Sequence, residues 1–198
     1  MSLRQTVPPA TEPVTLTELK TQLRIASTDE DAYLTGLIIV AREHVEALTR
    51  RQLVTATWEL SLDRFPTCIG TSGRFPSRSI FIPRPRLITV ASITYVDGNG
   101  DTRTLDAANY RVDTKSEPGR IEPAFGYTWP TARRVSNSIT ITYSAGYGNA
   151  AAVPGALKAA ILIAAGILAE NRGADLDNIP CVNALVAPYT IDPTLFEV

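Results

Sequence analysis

The sequence predicts an α+β protein, because helical and strand-like patterns occupy separate stretches of the chain. Apolar side chains recur at helical spacing near the N-terminus, and a continuous apolar run lies near the C-terminus. Between them, residues 54–143 mostly show the alternation of apolar and polar side chains that is typical of antiparallel strands with one buried face. We expect a single domain over residues 15–173, preceded by an extended N-terminal arm (residues 1–14) and followed by a C-terminal docking tail (residues 174–198).

The first predicted helix covers residues 15–25. Thr15 and Glu18 have the spacing of a capping box, in which the side chain of each residue accepts a hydrogen bond from the backbone N–H of the other. Leucines at helical spacing mark the apolar face of this helix. It is short and ends near Ile25.

The second predicted helix covers residues 28–51. Ser27 or Thr28 is expected to cap its N-terminus, and nearby acidic residues favour the positive end of the helix dipole. Arg50 and Arg51 are expected to close the helix, because cations favour its negative end. Its apolar positions are Leu34, Leu37, Ile38, Ala41, Val45 and Leu48.

The β region is expected to contain short strands joined by turns. The predicted strands are residues 54–62, 80–82, 90–96, 102–105, 110–113, 120–122 and 139–143. Residues 97–100, Asp-Gly-Asn-Gly, predict a tight hairpin turn, because Gly and Asn tolerate a positive φ. Residues 64–79 are rich in turn formers and are expected to form a loop.

The third predicted helix, residues 154–172, is apolar on every side over much of its length. No side chain between Lys158 and Glu170 is polar. A helix at the surface keeps one polar face, so this helix should be covered on most sides. Its apolar run is shorter than the roughly 20 residues that span a bilayer. The cover is therefore either the chain's own core or a second copy of the protein.

Composition argues against several classes of protein. The net charge of -1 gives no overall attraction to nucleic acid or to a membrane. One His and two isolated Cys residues, Cys68 and Cys181, argue against a zinc site, and we expect no metal and no cofactor. Spacing does not determine whether the two Cys residues pair. The N-terminus lacks a signal pattern, so we expect the protein to be made in the cytosol.

No combination of residues predicts catalysis. His44 has neither a nucleophile to serve nor a group to orient it, so we interpret it as an exposed helix histidine. The glycines of residues 143–148 lack the register of a phosphate loop and are interpreted as a turn before the third helix. Helix caps explain the acidic residues 29–31 better than a cation site does. We therefore expect a protein that is not an enzyme.

Two binding interpretations remain open in the β region. Tyr127 and Trp129 could form an aromatic cleft for a ligand, although packing of the β region is the simpler interpretation. Arginines between residues 64 and 86 could face DNA phosphates, but arginine is also favoured in contacts between proteins. The candidate interface residues of this stretch are Arg74, Arg78 and Arg84.

The tail from residue 174 contains acidic residues but no Lys or Arg, and apolar side chains lie between its prolines. A disordered tail is usually poor in such side chains. We therefore expect residues 185–198 to become ordered against a partner or a neighbouring subunit. The candidate contacts are Leu185, Tyr189, Leu195 and Phe196.

The order of these segments resembles the head–tail connector (adaptor) proteins of long-tailed phages, prophages and gene transfer agents. The resemblance covers roughly residues 13–190, and its specificity comes from order and spacing rather than from one motif. The matching segments include Val14–Lys20, Asp29–Asp31, Thr57–Leu60, Ile82–Pro85, Ile93–Tyr95, Trp129–Pro130, Tyr143–Gly148, Leu157–Ile161 and Glu170–Gly173.

The resemblance implies a structural virion protein in the neck of a phage or phage-like particle, assembled in the host bacterial cytoplasm. It implies a homo-oligomeric ring, typically of twelve subunits, between the portal protein and a tail stopper or tail-terminator protein. DNA would pass through the lumen without tight binding, and no membrane is involved. Two alternatives stay open: another neck or tail component such as a stopper, and a ligand-binding module around Tyr127 and Trp129.

Overall fold

The computed structural model describes residues 1–66 and 78–192. Within these residues the chain forms four α-helices and eight strands, and every strand pairing is antiparallel. The predicted α+β class with antiparallel strands is therefore confirmed. The predicted contact residues Arg74, Leu195 and Phe196 lie outside the described residues.

The described chain forms two compact units. The helical unit consists of Pro9–Thr55 and Tyr147–Ile191. The β unit consists mainly of Met1–Pro8 and Ala56–Gly146. Each unit has its own cluster of buried apolar side chains, so each can be understood from its own packing.

The helical unit contains α1 (Leu16–Leu23), α2 (Asp31–Thr49), α3 (Gly155–Glu170) and α4 (Pro180–Val186). All three predicted helices are present with slightly shorter bounds. The fourth helix lies within the predicted docking tail and was not expected from the sequence. It begins at Pro180, whose fixed φ suits the first helical turn and whose missing N–H has no partner there in any case.

The capping box at the start of α1 is confirmed. The N–H of Thr15 donates to Glu18 Oε2 at 2.6 Å, and the N–H of Glu18 donates to Thr15 Oγ1 at 3.2 Å. The N–H and the hydroxyl of Thr15, which both donate to the Glu18 carboxylate, lower the pKa of this carboxyl. The predicted cap of α2 is wrong, because Glu30 is the N-cap residue and makes no side-chain capping bond. The Ser27 hydroxyl instead accepts from the N–H of Asp29, within the turn before the helix.

The apolar helix α3 is covered by its own unit. Every side chain from Ala156 to Ala169 is buried or half-buried. The helices α1, α2 and α4 all pack against α3, which explains how it can lack a polar face. Of the two covers that the sequence left open, the chain's own core accounts for this helix.

The strands of the β unit are β1 (Ser2–Val7), β2 (Ala56–Leu62), β3 (Ile80–Phe81), β4 (Leu87–Val96), β5 (Thr102–Thr104), β6 (Tyr110–Asp113), β7 (Arg120–Pro123) and β8 (Ile139–Ala145). Five strands form one sheet in the order β1-β2-β8-β4-β5, and three form a second sheet in the order β3-β7-β6. Side chains of both sheets contribute to one buried cluster. The alternating burial of β2 and β8 matches the pattern in their sequences.

Part of the predicted N-terminal arm belongs to the larger sheet. The arm is extended, as expected, but β1 pairs with β2, with Leu3 opposite Leu60. Arg4 also lies 3.3 Å from the carboxylate of Glu59. Only Leu3 within β1 is partly buried. The strand is thus held mainly by backbone hydrogen bonds, which side-chain patterning does not reveal.

The predicted turns at glycines are confirmed. The hairpin between β4 and β5 closes through a hydrogen bond from the N–H of Gly100 to the carbonyl oxygen of Asp97 at 3.1 Å. Gly100 has a φ of 98°, a conformation that side chains disfavour. After β8, Gly146 and Gly148 have φ values of 135° and 106° and turn the chain towards α3.

Candidate assembly interface

The described part of the C-terminal tail is tied to the end of α2. Arg50, the C-cap residue, donates to the carbonyl oxygen of Ile191 at 3.0 Å. The N–H of Ile191 donates to the carbonyl oxygen of Thr49 at 3.2 Å. The buried Arg51 donates from Nε to the carbonyl oxygen of Tyr189. The two arginines therefore lie just beyond the helix that they were expected to close, and they fix the tail up to Ile191.

Two predicted tail contacts, Leu185 and Tyr189, pack against the core of the helical unit. Both side chains are half-buried there, so each retains an exposed part. Any contact with a neighbouring molecule would use only that exposed part. The tail between residues 174 and 191 is thus an ordered piece of the helical unit rather than a free extension.

A buried ionic cluster joins three segments of the helical unit. Arg42 lies 2.7 Å from Glu46 and 2.7 Å from Glu12. Glu46 also accepts from the side chain of Gln52 at 2.7 Å and from the N–H of Leu53 at 3.0 Å. Burial alone would lower the pKa of Arg42, but the neighbouring carboxylates outweigh it and raise the pKa. Because each of these groups is paired within the unit, the cluster has a structural role and holds the three segments together, rather than serving as a reactive site.

The prediction that His44 is exposed is wrong. Its side chain is mostly buried, and Nε2 lies 3.1 Å from the carbonyl oxygen of Leu176. Nδ1 lies 3.8 Å from the carboxylate of Asp177. Both ring nitrogens therefore face the tail, and His44 helps to hold the tail against α2. The sequence could not show this, because the contacting residues lie more than 130 positions away.

Trp129 is partly buried against the core of the β unit, whereas the side chain of Tyr127 is 49% exposed. Trp129 stacks on Phe65 with ring centroids 4.9 Å apart, and its indole N–H donates to the carbonyl oxygen of Arg78 at 2.6 Å. Phe65 also meets the ring of Tyr95 edge-on, with centroids 6.0 Å apart. Because one ring face and the N–H of Trp129 are already used, the structure supports the interpretation that Trp129 packs the β unit.

The arginines predicted as partner contacts have different surroundings within the β unit. The guanidinium of Arg84 lies 5.2 Å from the centre of the Trp58 ring, a cation–π geometry. Arg86, in the same stretch, lies 3.0 Å from Glu117. Arg78 is exposed. Arg78 and Arg84 thus belong to the β unit, whereas Leu185 and Tyr189 belong to the helical unit.

The strongest signs of a protein contact are exposed apolar side chains, and of those named below the sequence had singled out only Tyr127. Phe125 is 101% exposed and Tyr127 is 49% exposed. On α2, Ile39 and Val40 are 38% and 48% exposed. The uncharged run at residues 123–132 was a signal in the sequence, because charged residues are depleted in interface cores. For α2 no such signal existed, since a pattern of apolar residues does not tell which of them face outward.

Other kinds of site are absent from the described part of the chain. In residues 1–66 and 78–192, no three His, Cys, Asp or Glu residues are grouped as a metal site requires. The same residues contain no helix with the length and hydrophobicity needed to cross a membrane. Cys181 is a free, exposed thiol, whereas Cys68 lies outside the described residues.

The fold and these surfaces define a structural protein suited to contacts with other proteins. Residues 13–72 match the family of phage gp6-like head-tail connector proteins. This is a family of structural connectors and not of enzymes, in agreement with the prediction of a non-enzymatic protein. No curated protein matches the sequence.

Solved structures of gene transfer agent particles contain chains with the same fold. One is from the virion of a native particle, with a TM-score of 0.76 and 22% identity. Another is from the neck of an empty particle computed with C6 symmetry, with a TM-score of 0.77 and 23% identity. A third is from the neck of a native particle computed with C12 symmetry, with a TM-score of 0.75 and 23% identity. In each case the likeness covers 97% of this chain and 97% of the other.

At this level of identity the likeness establishes the fold. Together with the family match at residues 13–72, it confirms the resemblance to head–tail connectors that the order of sequence segments indicated.

Proposed function

We propose that this chain is a structural adaptor that forms a ring in the neck of a phage-like particle and joins the head to the tail. The observation that carries this proposal is a likeness over 97% of both chains to a protein from a neck computed with C12 symmetry. The match of residues 13–72 to head-tail connectors supports the same function. A ring of twelve copies in the virion neck is part of this proposal, and the C12 symmetry of that neck supports it.

The architecture suits a ring subunit. Subunits in a ring make head-to-tail contacts, so each copy must present two different surfaces. A stable contact of this kind buries about 800 Å² per partner. Two compact units with ordered cores can present such surfaces without large rearrangement. We assign the connector body to residues 15–173, and we assign docking contacts to the exposed parts of the arm and of the tail, which are ordered against the two units in the described residues.

The ring would bind the portal protein on the head side and a tail stopper or tail-terminator protein on the tail side. We assign Leu185, Tyr189, Leu195 and Phe196 to contacts of the tail with the portal or with a neighbouring subunit. We assign Arg74, Arg78 and Arg84 to contacts with other proteins, because the planar guanidinium suits such interfaces.

DNA would pass through the lumen of the ring without being held. The net charge of -1 gives little overall attraction to phosphates. The isolated protein should bind duplex DNA no more tightly than ordinary non-specific binding, with a Kd of roughly 10⁻⁴ to 10⁻⁶ M at physiological salt. Fluorescence anisotropy with a labelled duplex measures this. Nanomolar affinity that is lost in Arg78→Ala and Arg84→Ala variants would make this stretch a DNA-binding surface instead.

Deletion of the gene tests the adaptor function. Particles from the deletion strain should separate into DNA-filled heads and unattached tails, and expression of the wild-type chain should restore complete particles. Electron microscopy counts the two populations. Normal numbers of tailed particles in the deletion strain would contradict the proposal.

The position of the chain separates an adaptor from another neck component such as a stopper. A fusion to a small globular tag should give additional density in the ring next to the portal. Density in a ring further towards the tail would assign the chain as a stopper.

A further inference from the structure

The aromatic turn, residues 124–127, presents Phe125 to solvent on a fixed support. The N–H of Tyr127 donates to the carbonyl oxygen of Ala124 at 2.9 Å. Gly126 has a φ of 81°, as the third position of a type II turn requires. The N–H of Ala124 donates to the carbonyl oxygen of Asn109 at 3.0 Å, which ties the turn to the chain before β6. Phe125 is therefore held outward by an ordered backbone.

The surroundings of Phe125 resemble the centre of a protein interface. Residues 123–132 contain no charged side chain. Residues 125–128 are all exposed. Interface centres are depleted of charge and enriched in aromatic anchors. An anchor on an ordered turn also loses little conformational freedom when it binds, which favours association.

The helix α2 carries a second uncovered apolar patch. Of its seven exposed positions, only Glu43 is charged. Ile39 and Val40 lie at its centre, and, apart from the adjacent residues and backbone of its own helix, nothing in the described chain lies within 4 Å of the place that a Cβ would occupy at Gly36. The outer face of a surface helix normally carries polar and charged residues. The exposed face of α2 is therefore an apolar surface with open space at the glycine.

Charge favours contact between unlike units. The β unit, which comprises Met1–Pro8, Ala56–Gly146 and Asp192–Val198, contains twelve Lys and Arg against ten Asp and Glu. The helical-unit segments Pro9–Thr55 and Tyr147–Ile191 contain seven against ten. Opposite net charges attract and like charges repel, so a β unit is steered towards the helical unit of another copy. A head-to-tail contact in a ring joins two different surfaces of identical chains in this way.

We propose that Phe125 of one copy packs against Gly36, Ile39 and Val40 on α2 of the next copy in the ring. Each of the two apolar patches then covers the other. This inference rests on the proposed ring function and adds the surfaces through which neighbouring copies meet.

Disulfide trapping in assembled particles tests the contact. In a Cys68→Ser, Cys181→Ser background, the chain carries Phe125→Cys together with Val40→Cys. Particles made with this variant are oxidised and analysed on a non-reducing gel. The expected result is a ladder of covalently linked copies, because the two thiols of neighbouring copies lie in one interface.

The matched control carries Ile88→Cys instead of Val40→Cys, together with Phe125→Cys in the same background. Ile88 is 41% exposed, close to the 48% of Val40, but lies in the β unit. The control should give no ladder. The inference is overturned if particles contain the Val40→Cys variant without a ladder, if the control gives an equal ladder, or if Phe125→Cys links to a different protein.

Charge substitution provides a second, independent readout. Phe125→Asp should reduce incorporation of the chain into particles at least about tenfold, as loss of an interface anchor does. Phe125→Tyr should retain incorporation within about twofold, because the aromatic ring remains. Equal incorporation of the Asp and Tyr variants would overturn the inference. Absence of the wild-type chain from purified particles would instead overturn the proposed function, and this inference with it.

Discussion

The helix α3 and the aromatic turn are two apolar segments with opposite surroundings. The helix has a long run without a polar side chain, yet α1, α2 and α4 of its own unit cover it. The turn contains a single phenylalanine that nothing in the described chain covers, since Phe125 is 101% exposed. The sequence indicated that α3 requires a cover for its apolar surface, and its own unit covers it. The side chain of Phe125 in the aromatic turn remains uncovered within the described chain.

This comparison separates folding from assembly. Apolar surface that is buried within a unit stabilises that unit before any partner is present. Apolar surface that remains exposed contributes only when another molecule covers it. Substitutions in the helical core should therefore change the free energy of unfolding, while substitutions in the turn should change assembly and leave unfolding unaffected.

The largest effect on unfolding is expected at the buried ionic cluster. Arg42→Met should destabilise the chain by about 3–5 kcal/mol, because it leaves the buried Glu46 without its cation. Lys20→Met is the matched control, since its ion pair with Asp31 is more exposed and should contribute about 0–1 kcal/mol. Urea denaturation measures both. Equal losses of unfolding free energy in the two variants would show that burial does not determine how much each ion pair contributes to stability.

The next largest effect is expected within α3. Leu157→Ala should destabilise the chain by about 2–5 kcal/mol, because Leu157 is fully buried and its truncation leaves a cavity. Ile163→Ala should cost less, since Ile163 is only half-buried on the same helix. Thermal and urea unfolding compare the two. A larger loss for Ile163→Ala would mean that the covered side of α3 has been assigned wrongly.

A smaller effect is expected at the start of α1. Thr15→Ala should cost about 1 kcal/mol at neutral pH, because it removes one half of the capping box. The pKa of Glu18 is lowered from 4.5 in the folded chain, so its stabilising contribution is present above that pH. This contribution is lost as the pH falls through the folded-state pKa. Urea midpoints of wild type and Glu18→Gln between pH 3 and 7 should therefore converge at low pH, and a constant difference would contradict this assignment.

The sequence predicted the regular parts of the fold because their signals are local. Helical spacing predicted α2, a continuous apolar run predicted α3, alternation predicted β2 and β8, and Asp97–Gly100 predicted a hairpin. The strand β1 was missed because an edge strand with mostly exposed side chains is held by backbone bonds. The helix α4 was missed because its seven residues are too few for a clear period.

Candidate contacts were harder to predict than secondary structure. Leu185 and Tyr189 were predicted as contacts with a partner or a neighbouring subunit, which stays a prediction, and the sequence did not show that both also pack on their own unit. His44 was expected to be exposed because its contacts with the tail are distant in sequence. Phe125 was not predicted as a contact residue, because exposure is a property of the folded chain. In the sequence, a single phenylalanine among small residues cannot be distinguished from a core residue.

The smallest effect on unfolding is expected at the aromatic turn. Phe125→Ala should change the free energy of unfolding by less than about 0.5 kcal/mol, because the side chain is exposed in the folded and unfolded chain alike. The turn itself should persist, since Gly126 and the bond between Tyr127 and Ala124 are unchanged. The urea midpoint of the isolated variant measures this. A loss above about 1 kcal/mol would mean that Phe125 supports its own fold. An unchanged midpoint combined with failed incorporation of Phe125→Asp into particles would place the role of this side chain in assembly alone.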